Sequence, residues 1–407
     1  MGNVIQIRTN LLNPVSPEAF ELQTDKLLTI SEGKITDINS ASDADTLSLD
    51  LRHCLAVPGL IDLHVHLSQY RIRGHYNDSL LPWLEEVVFP EEEKSASYDF
   101  ASELADEFIS AMHKAGTTTA VIYTAPYRSA CETAFEAAKH HHLRAFIGQT
   151  IMNQNCPDAL IEDDPQIMQD CETLLKNYHS PESGLQYILT PRFAPACSFG
   201  LMQKIGTFAR KNDLWIQTHL SENKDEIALV HKLFGMNSYA EVYAQAGLLT
   251  PKTLLAHCIH LTERDYEMIE FCGSKIVHCP DSNFYLRSGQ FPLAQIRKRE
   301  LPFALGSDVG AGTSLNMLYH AKLYNYRQET EAVSPADAFY RITLGAAELL
   351  GLGHRIGSLE VGKDADLVFL KLPHPQIPLK ENILSELIFT GHDWKIEQVY
   401  TKGLRKV

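Results

Sequence analysis

The sequence predicts an α/β fold: a (β/α)8 TIM-like barrel with a small β-sandwich formed from the N- and C-terminal segments. Three observations point there. Through the middle of the chain short apolar runs alternate with longer amphipathic stretches, both ends instead read as β-strands with glycine turns, and metal-type side chains stand where several central runs end. A chain of 407 residues has room for one large barrel and a modest second unit.

Residues 1 to about 57 carry short alternating segments, and SEGKITDI reads as a hairpin turning at Glu32-Gly33. Then come LIDLHVH, TTAVIYTA, LRAFIGQTI, LQYILTPRF, LWIQTHLS, TLLAHC, KIVHCP and PFALGSD, each a strand-like run. The stretches Tyr98–Lys114, Thr133–His142, Leu201–Lys211 and Thr262–Cys272 lie between them and predict helices. Strands alternating strictly with helices imply a parallel sheet, and this many units imply a closed barrel. After residue 354, RIGSLEVGKDADLVFL and IEQVYTKGLRKV read as β again. Two β-rich ends flanking a barrel are expected to meet, so segments 1–57 and 355–407 are assigned to the sandwich and 58–354 to the barrel.

Hydrophobic content of 44% with 21% charged residues suits a soluble globular enzyme. A formal net charge of -15 opposes nucleic-acid binding, because little would neutralise phosphates at useful density. Eight scattered cysteines with no C-x-x-C pair read as reduced thiols, not as a disulfide framework. The start MGNVIQIRTN has no apolar h-region, and no run approaches the length of a membrane span. The expectation is a cytoplasmic enzyme without nucleic-acid or membrane partners.

The chemistry gathers at strand ends. His64 and His66 lie two apart on LIDLHVH, so both imidazoles face the same side of a strand and can reach one ion. His219 ends LWIQTH, His257 ends TLLAH and Asp308 ends FALGSD, each where a barrel strand hands over to its loop. Zinc favours imidazole and carboxylate, and a catalytic site keeps one position for water. By residue type alone, His257 could be a fifth ligand. Glu222, three residues after His219, can reach the attacking water and shuttle its proton, where a bland reading makes it a helix-start residue.

The ordered segments PGLIDLHVHLSQY, LLPWLEEVVFP, TPRF, THLSENKDEI, LLAHCIHL, IVHCPDSN and LGSDVGAG resemble those of the guanine deaminases, within the amidohydrolase superfamily. The resemblance implies zinc-dependent hydrolysis of guanine to xanthine and ammonia, with one Zn2+ per chain on His64, His66, His219 and Asp308. Iron or manganese would fit the same ligands. It also implies Glu222, His257 and Asp308 as catalytic groups, His257 touching the attacking water or substrate. Gln69, Trp83, Arg192 and Phe193 are its expected substrate contacts, and a homodimer its expected assembly. In that reading Arg192 donates to guanine O6 or N7, Phe193 packs on the ring, and Gln69 contacts a ring nitrogen or carbonyl.

Other residues read more plainly. His278 is expected to support the core or pocket, His260 to be peripheral, and His140, His141 and His142 to close a helix. Cys258 and Cys279 read as packed thiols. The acidic group Glu85, Glu86, Glu91, Glu92 and Glu93 reads as a solvated surface, with Glu91 to Glu93 opening a helix after Pro90. Rival functions are deamination of another heterocycle (8-oxoguanine, a pterin or a triazine), cyclic-amide hydrolysis, and a noncatalytic barrel scaffold.

Overall fold

The computed structural model describes residues 4–41, 49–380 and 382–407. At the N-terminal end lie β1 (Ile5–Ser16), β2 (Ala19–Ser31), β3 (Lys34–Ser40) and β4 (Leu49–Pro58). Strands β2 and β3 form the expected hairpin: Ser31 pairs with Lys34, and Glu32 and Gly33 both take positive φ, 51° and 78°. Two consecutive left-handed residues are what a tight turn needs to match strand twist, and glycine supplies one of them without strain.

Eight parallel strands follow in the order the apolar runs predict. They are β5 (Leu60–His66), β6 (Thr117–Tyr123), β7 (Arg144–Gly148), β8 (Leu185–Tyr187), β9 (Ile216–Leu220), β10 (Thr253–His257), β11 (Lys275–His278) and β12 (Phe303–Leu305). Strands β5 to β8 pair in sequence, as do β9 to β12. Hydrogen bonds outside the regular ladders join the two halves. Leu189 N donates to Trp215 O and Gln217 N to Leu189 O on one side. On the other, Asp308 N donates to His64 O at 2.8 Å and His66 N to Val309 O at 2.6 Å. The second seam brings the first and last barrel strands together, so His64, His66 and Asp308 become neighbours across it. Gly306 makes the approach possible: a Cβ there would lie 2.6 Å from His64 Cβ.

Inside the ring, Ile61, Leu63, Val121, Phe146, Leu254, Val277 and Ala304 from six strands pack into one cluster, a filled core and not a pore. The larger outer cluster seats helices against the strands; Tyr98–Lys114, for example, buries Leu104, Phe108, Ile109 and Met112 on one face. That helix has the predicted limits. The helix predicted from Thr133 starts earlier, at Arg128, because Ala130 and Cys131 are buried yet too small to sharpen the pattern. It ends at His141 with His142 in the left-handed capping conformation, as the histidine run suggested.

The two ends of the chain meet in one seven-stranded mixed sheet. Strands β13 (Leu367–Lys371), β14 (Ile396–Thr401) and β15 (Leu404–Arg405) extend it in the order β15-β14-β13-β4-β1-β2-β3. Register shifts within β1, at Thr9/Leu11 and Pro14/Ser16, bend the sheet around its own cluster of Ile7, Leu28, Ile35, Leu367 and Phe369. Arg144 at the start of β7 reaches Asp364 at 2.7 Å and Asp366 at 3.4 Å, tying this sheet to the barrel through buried charges. All eight cysteines are free, and no helix among the described residues is long and apolar enough to cross a membrane.

Candidate active site

Strand β5 sets the first two groups. His64 and His66 are both buried, and their Nε2 atoms lie 3.2 Å apart, as a shared strand face requires. His219 at the end of β9 brings its Nε2 to 3.3 Å from His66 Nε2. Asp308 Oδ1 lies 3.2 Å from both His64 Nε2 and His66 Nε2. A tetrahedral ion with bonds of about 2.0–2.1 Å holds neighbouring ligand atoms roughly 3.3 Å apart, so the four groups fit a divalent cation without rearrangement.

Protonation states agree with that fit. His219 Nδ1 donates to the Arg192 carbonyl at 2.6 Å, which leaves Nε2 as a lone pair aimed at the cluster. Burial pushes His64 down to about 4 and, helped by His64 and His66, His219 well below the ordinary histidine value. Burial raises the Asp308 carboxyl, but contacts with His64 and His66 outweigh it and hold the group well below the usual carboxylate range. Neutral imidazoles beside an ionised carboxylate are ready ligands. A second grouping of His64, His257, Cys279 and Asp308 is geometrically close, but burial pushes the Cys279 thiol well above its ordinary value and leaves it a poor ligand.

Glu222 lies just before the helix Lys224–Phe234, whose cap is Asn223, so its carboxyl is not spent on the helix end. Glu226 does that work, accepting from the Glu222 and Asn223 amides at 2.9 and 3.1 Å. The Glu222 side chain is 3% exposed, accepts from Ser288 Oγ at 3.2 Å, and stands 3.5 Å from His257 Nε2. Burial pushes it up to about 7 against the pull of His257. His257 is anchored through Nδ1 to Asn283 Oδ1 at 2.9 Å. Burial lowers its proton affinity, yet Glu222 and Asp308 reverse this and raise it, and its Nε2 points between those two carboxyls.

His66, His219, Glu222, His257 and Asp308 line a pocket whose walls also include Gln69, Trp83, Leu84, Arg192 and Phe193. All four expected substrate contacts therefore line one space with the metal-type cluster. Trp83 does not sit on an open loop: residues 80–93 are helical throughout, and its indole donates to His75 O at 2.9 Å. Arg192 is no surface ion pair either. Only 3% exposed, it donates from Nη1 to Glu92 Oε2 at 2.7 Å.

That contact corrects the reading of the acidic stretch. Glu91 and Glu92 are buried, Glu92 completely, and the helix starts ten residues before Pro90, at Leu80. Glu92 also accepts from Gln69 Nε2 at 3.1 Å and Ser68 Oγ at 3.3 Å. A charged residue this deep needs a cation partner, and the partner lies 100 residues away, where local pattern carries no signal. Ser288 and Asn283 were missed for the same reason, although N-x-x-x-x-S follows the noted His278 strand. His278 stacks on Phe291 at 4.1 Å outside the cluster, and His260 holds the Ser288 carbonyl at 2.7 Å.

With that geometry in hand, similarity to known proteins is informative. Residues 55–405 match the amidohydrolase family. The guanine deaminase of Escherichia coli K12 is 33% identical, covering 99% of this chain and 96% of that protein. The guanine deaminase of Dictyostelium discoideum is also 33% identical, over 87% and 83%. The crystal structure of the guanine deaminase from C. acetobutylicum, with guanine bound in its active site, superposes with a TM-score of 0.92 at 31% identity, covering 99% of this chain and 100% of that one.

Proposed function

The chain belongs to the amidohydrolase family, and from that premise we propose that it hydrolyses guanine to xanthine and ammonia. The observation that carries this is one pocket lined both by a ligand cluster with an acid–base pair and by a buried arginine with an amide that shares its carboxylate partner. We take the ion to be Zn2+, one per chain on His64, His66, His219 and Asp308, because three imidazoles and a carboxylate are a set zinc favours. When bound, such an ion makes hydroxide available from water near neutral pH.

The residues divide the work as follows. Guanine enters with C2 toward Glu222 and Asp308. Its far edge offers O6 and N7, which Arg192 recognises as a donor, while Phe193 and Trp83 close apolar surface over the ring. Glu222 takes a proton from the attacking water and returns it to the ring nitrogen beside C2; a carboxyl titrating near 7 can do both at neutral pH. His257, held by Asn283, donates from Nε2 to the charge that builds as C2 becomes tetrahedral. Asp308 Oδ2, 3.8 Å from His257, helps deliver the second proton to the amine. The C2–N bond breaks, ammonia leaves and a carbonyl remains.

Residues 58–354 act as the catalytic unit, since every site residue falls between His64 and Asp308. The free cysteines suit a reducing, cytoplasmic setting, and a homodimer is the assembly proposed with it. The experiment is ammonia release from guanine, adenine, a pterin and a triazine on metal-quantified protein. Adenine brings an amino donor where Arg192 also donates, so it should be ignored. Protein that deaminates a pterin or triazine but not guanine defeats the substrate assignment.

A further inference from the structure

We propose that Glu92 is a positioning residue that decides which groups of the pocket donate and which accept, and so selects a ring bearing an N–H beside a carbonyl. This rests on the guanine reading above and adds to it the origin of the discrimination.

Glu92 is completely buried and receives three side-chain donors: Arg192 Nη1 on Oε2, and Gln69 Nε2 and Ser68 Oγ on Oε1. A carboxylate can only accept. Gln69 must therefore give an N–H of its NH2 to Glu92, which fixes the amide plane and leaves its carbonyl oxygen, with no hydrogen bond among the described residues, as the acceptor it brings to the cavity it lines. Arg192 spends Nη1 on Glu92 and keeps Nη2 and Nε as donors. One buried carboxylate thus makes Gln69 an acceptor and aims Arg192 as a donor on the same wall. Guanine carries the complement on adjacent atoms, N1–H and O6. 2-Aminopurine has the same amine on the same carbon, but N1 carries a lone pair and O6 is missing, so it mismatches Gln69 and gives Arg192 nothing. With an amide at position 92 instead, the Gln69 side chain is free to turn, and the pocket loses its fixed polarity.

The test uses full-length, metal-loaded protein, with kcat and KM on guanine and the Kd of 2-aminopurine read from its own fluorescence. Glu92→Gln should keep its metal and lose on the order of 10²-fold in kcat/KM on guanine, chiefly through KM, short of the ~10⁴ a fully mismatched site can cost. Its affinity for 2-aminopurine should hold or rise, because a Gln69 free to turn can donate to the N1 lone pair that it faced as an acceptor before. The exchange Gln69→Glu with Glu92→Gln restores an obligatory acceptor at 69, while the amide at 92 can donate to it and accept from Arg192. It should recover at least about tenfold of the guanine loss, the worth of one good hydrogen bond. A Glu92→Gln enzyme within about threefold of wild type on guanine, or one weakened alike toward both purines, overturns the proposal. If Glu92→Gln gives no folded protein, the exchange is read against wild type: a retained preference for guanine over 2-aminopurine supports the proposal, and a lost preference overturns it. Wild type inactive on guanine defeats the functional reading itself, and shows before any variant is made.

Discussion

Replacing Arg192 by methionine tests the buried ion pair and the substrate reading together. Methionine keeps an unbranched side chain against Met152 and Phe89 and removes only the charge and its donors. Arg192 is 3% and Glu92 0% exposed, so the variant strands a carboxylate that water cannot reach. Breaking a buried pair from one side costs about 3–5 kcal/mol. Gln69 and Ser68 still donate to Glu92, which places the loss near the lower end, about 3 kcal/mol. At an unfolding entropy of about 2.1 cal/mol/K per residue, a chain of 407 residues should melt roughly 3–4 °C lower. The assay is thermal unfolding of metal-saturated protein at one scan rate, with metal content and ammonia release from guanine measured on the same samples. Arg192→Met should keep its metal and lose guanine turnover. Adding Glu92→Gln should return at least half of the lost stability, since the stranded charge is gone. A melting temperature within about 1 °C of wild type, or a double variant whose losses simply add, would refute the account of this pair.

Three further outcomes follow from the site and the core. His64→Ala should lose the bound ion in metal analysis and with it activity; full occupancy with intact turnover rules out the ligand set His64, His66, His219 and Asp308. Glu222→Gln should bind metal normally yet lose about 10²–10⁴-fold in kcat, because the amide keeps the Ser288 contact and cannot take a proton; turnover within a few-fold of wild type ends its role as the base. Away from the site, burial pushes His113 from its ordinary 6.5 down to about 4. The unfolded chain then binds the extra proton first, so stability is full above pH 6.5 and falls as pH drops toward 4, by up to about 3 kcal/mol. Urea midpoints against pH should show that acid slope, and His113→Gln should flatten it; an unchanged slope means His113 protonates at no cost.

The metal-type cluster could be read from local rules because its members obey them. His64 and His66 follow the period of a strand, and His219 and Asp308 stand where apolar runs end, which is where parallel barrel strands present their working groups. Barrel order, the hairpin at Glu32-Gly33 and the helix Tyr98–Lys114 were legible for the same reason: hydrophobic period and turn chemistry act over a few residues. Pairing across long sequence distances was not legible. The seam that sets Asp308 against His64, the strand order by which the two β-rich ends pair in one sheet, and the anchors Asn283 and Ser288 are decided by tertiary contacts. Glu92 shows the limit most clearly. In sequence it is one glutamate among five in a charged stretch, with every local reason to face water; the fold buries it because Arg192 arrives from the segment just after Thr190–Pro191, 100 residues on, and burial gives the pair its strength and its direction. Residue type and period determine which chemistry the chain can carry, whereas the partners that orient it are decided by contacts that no local pattern encodes.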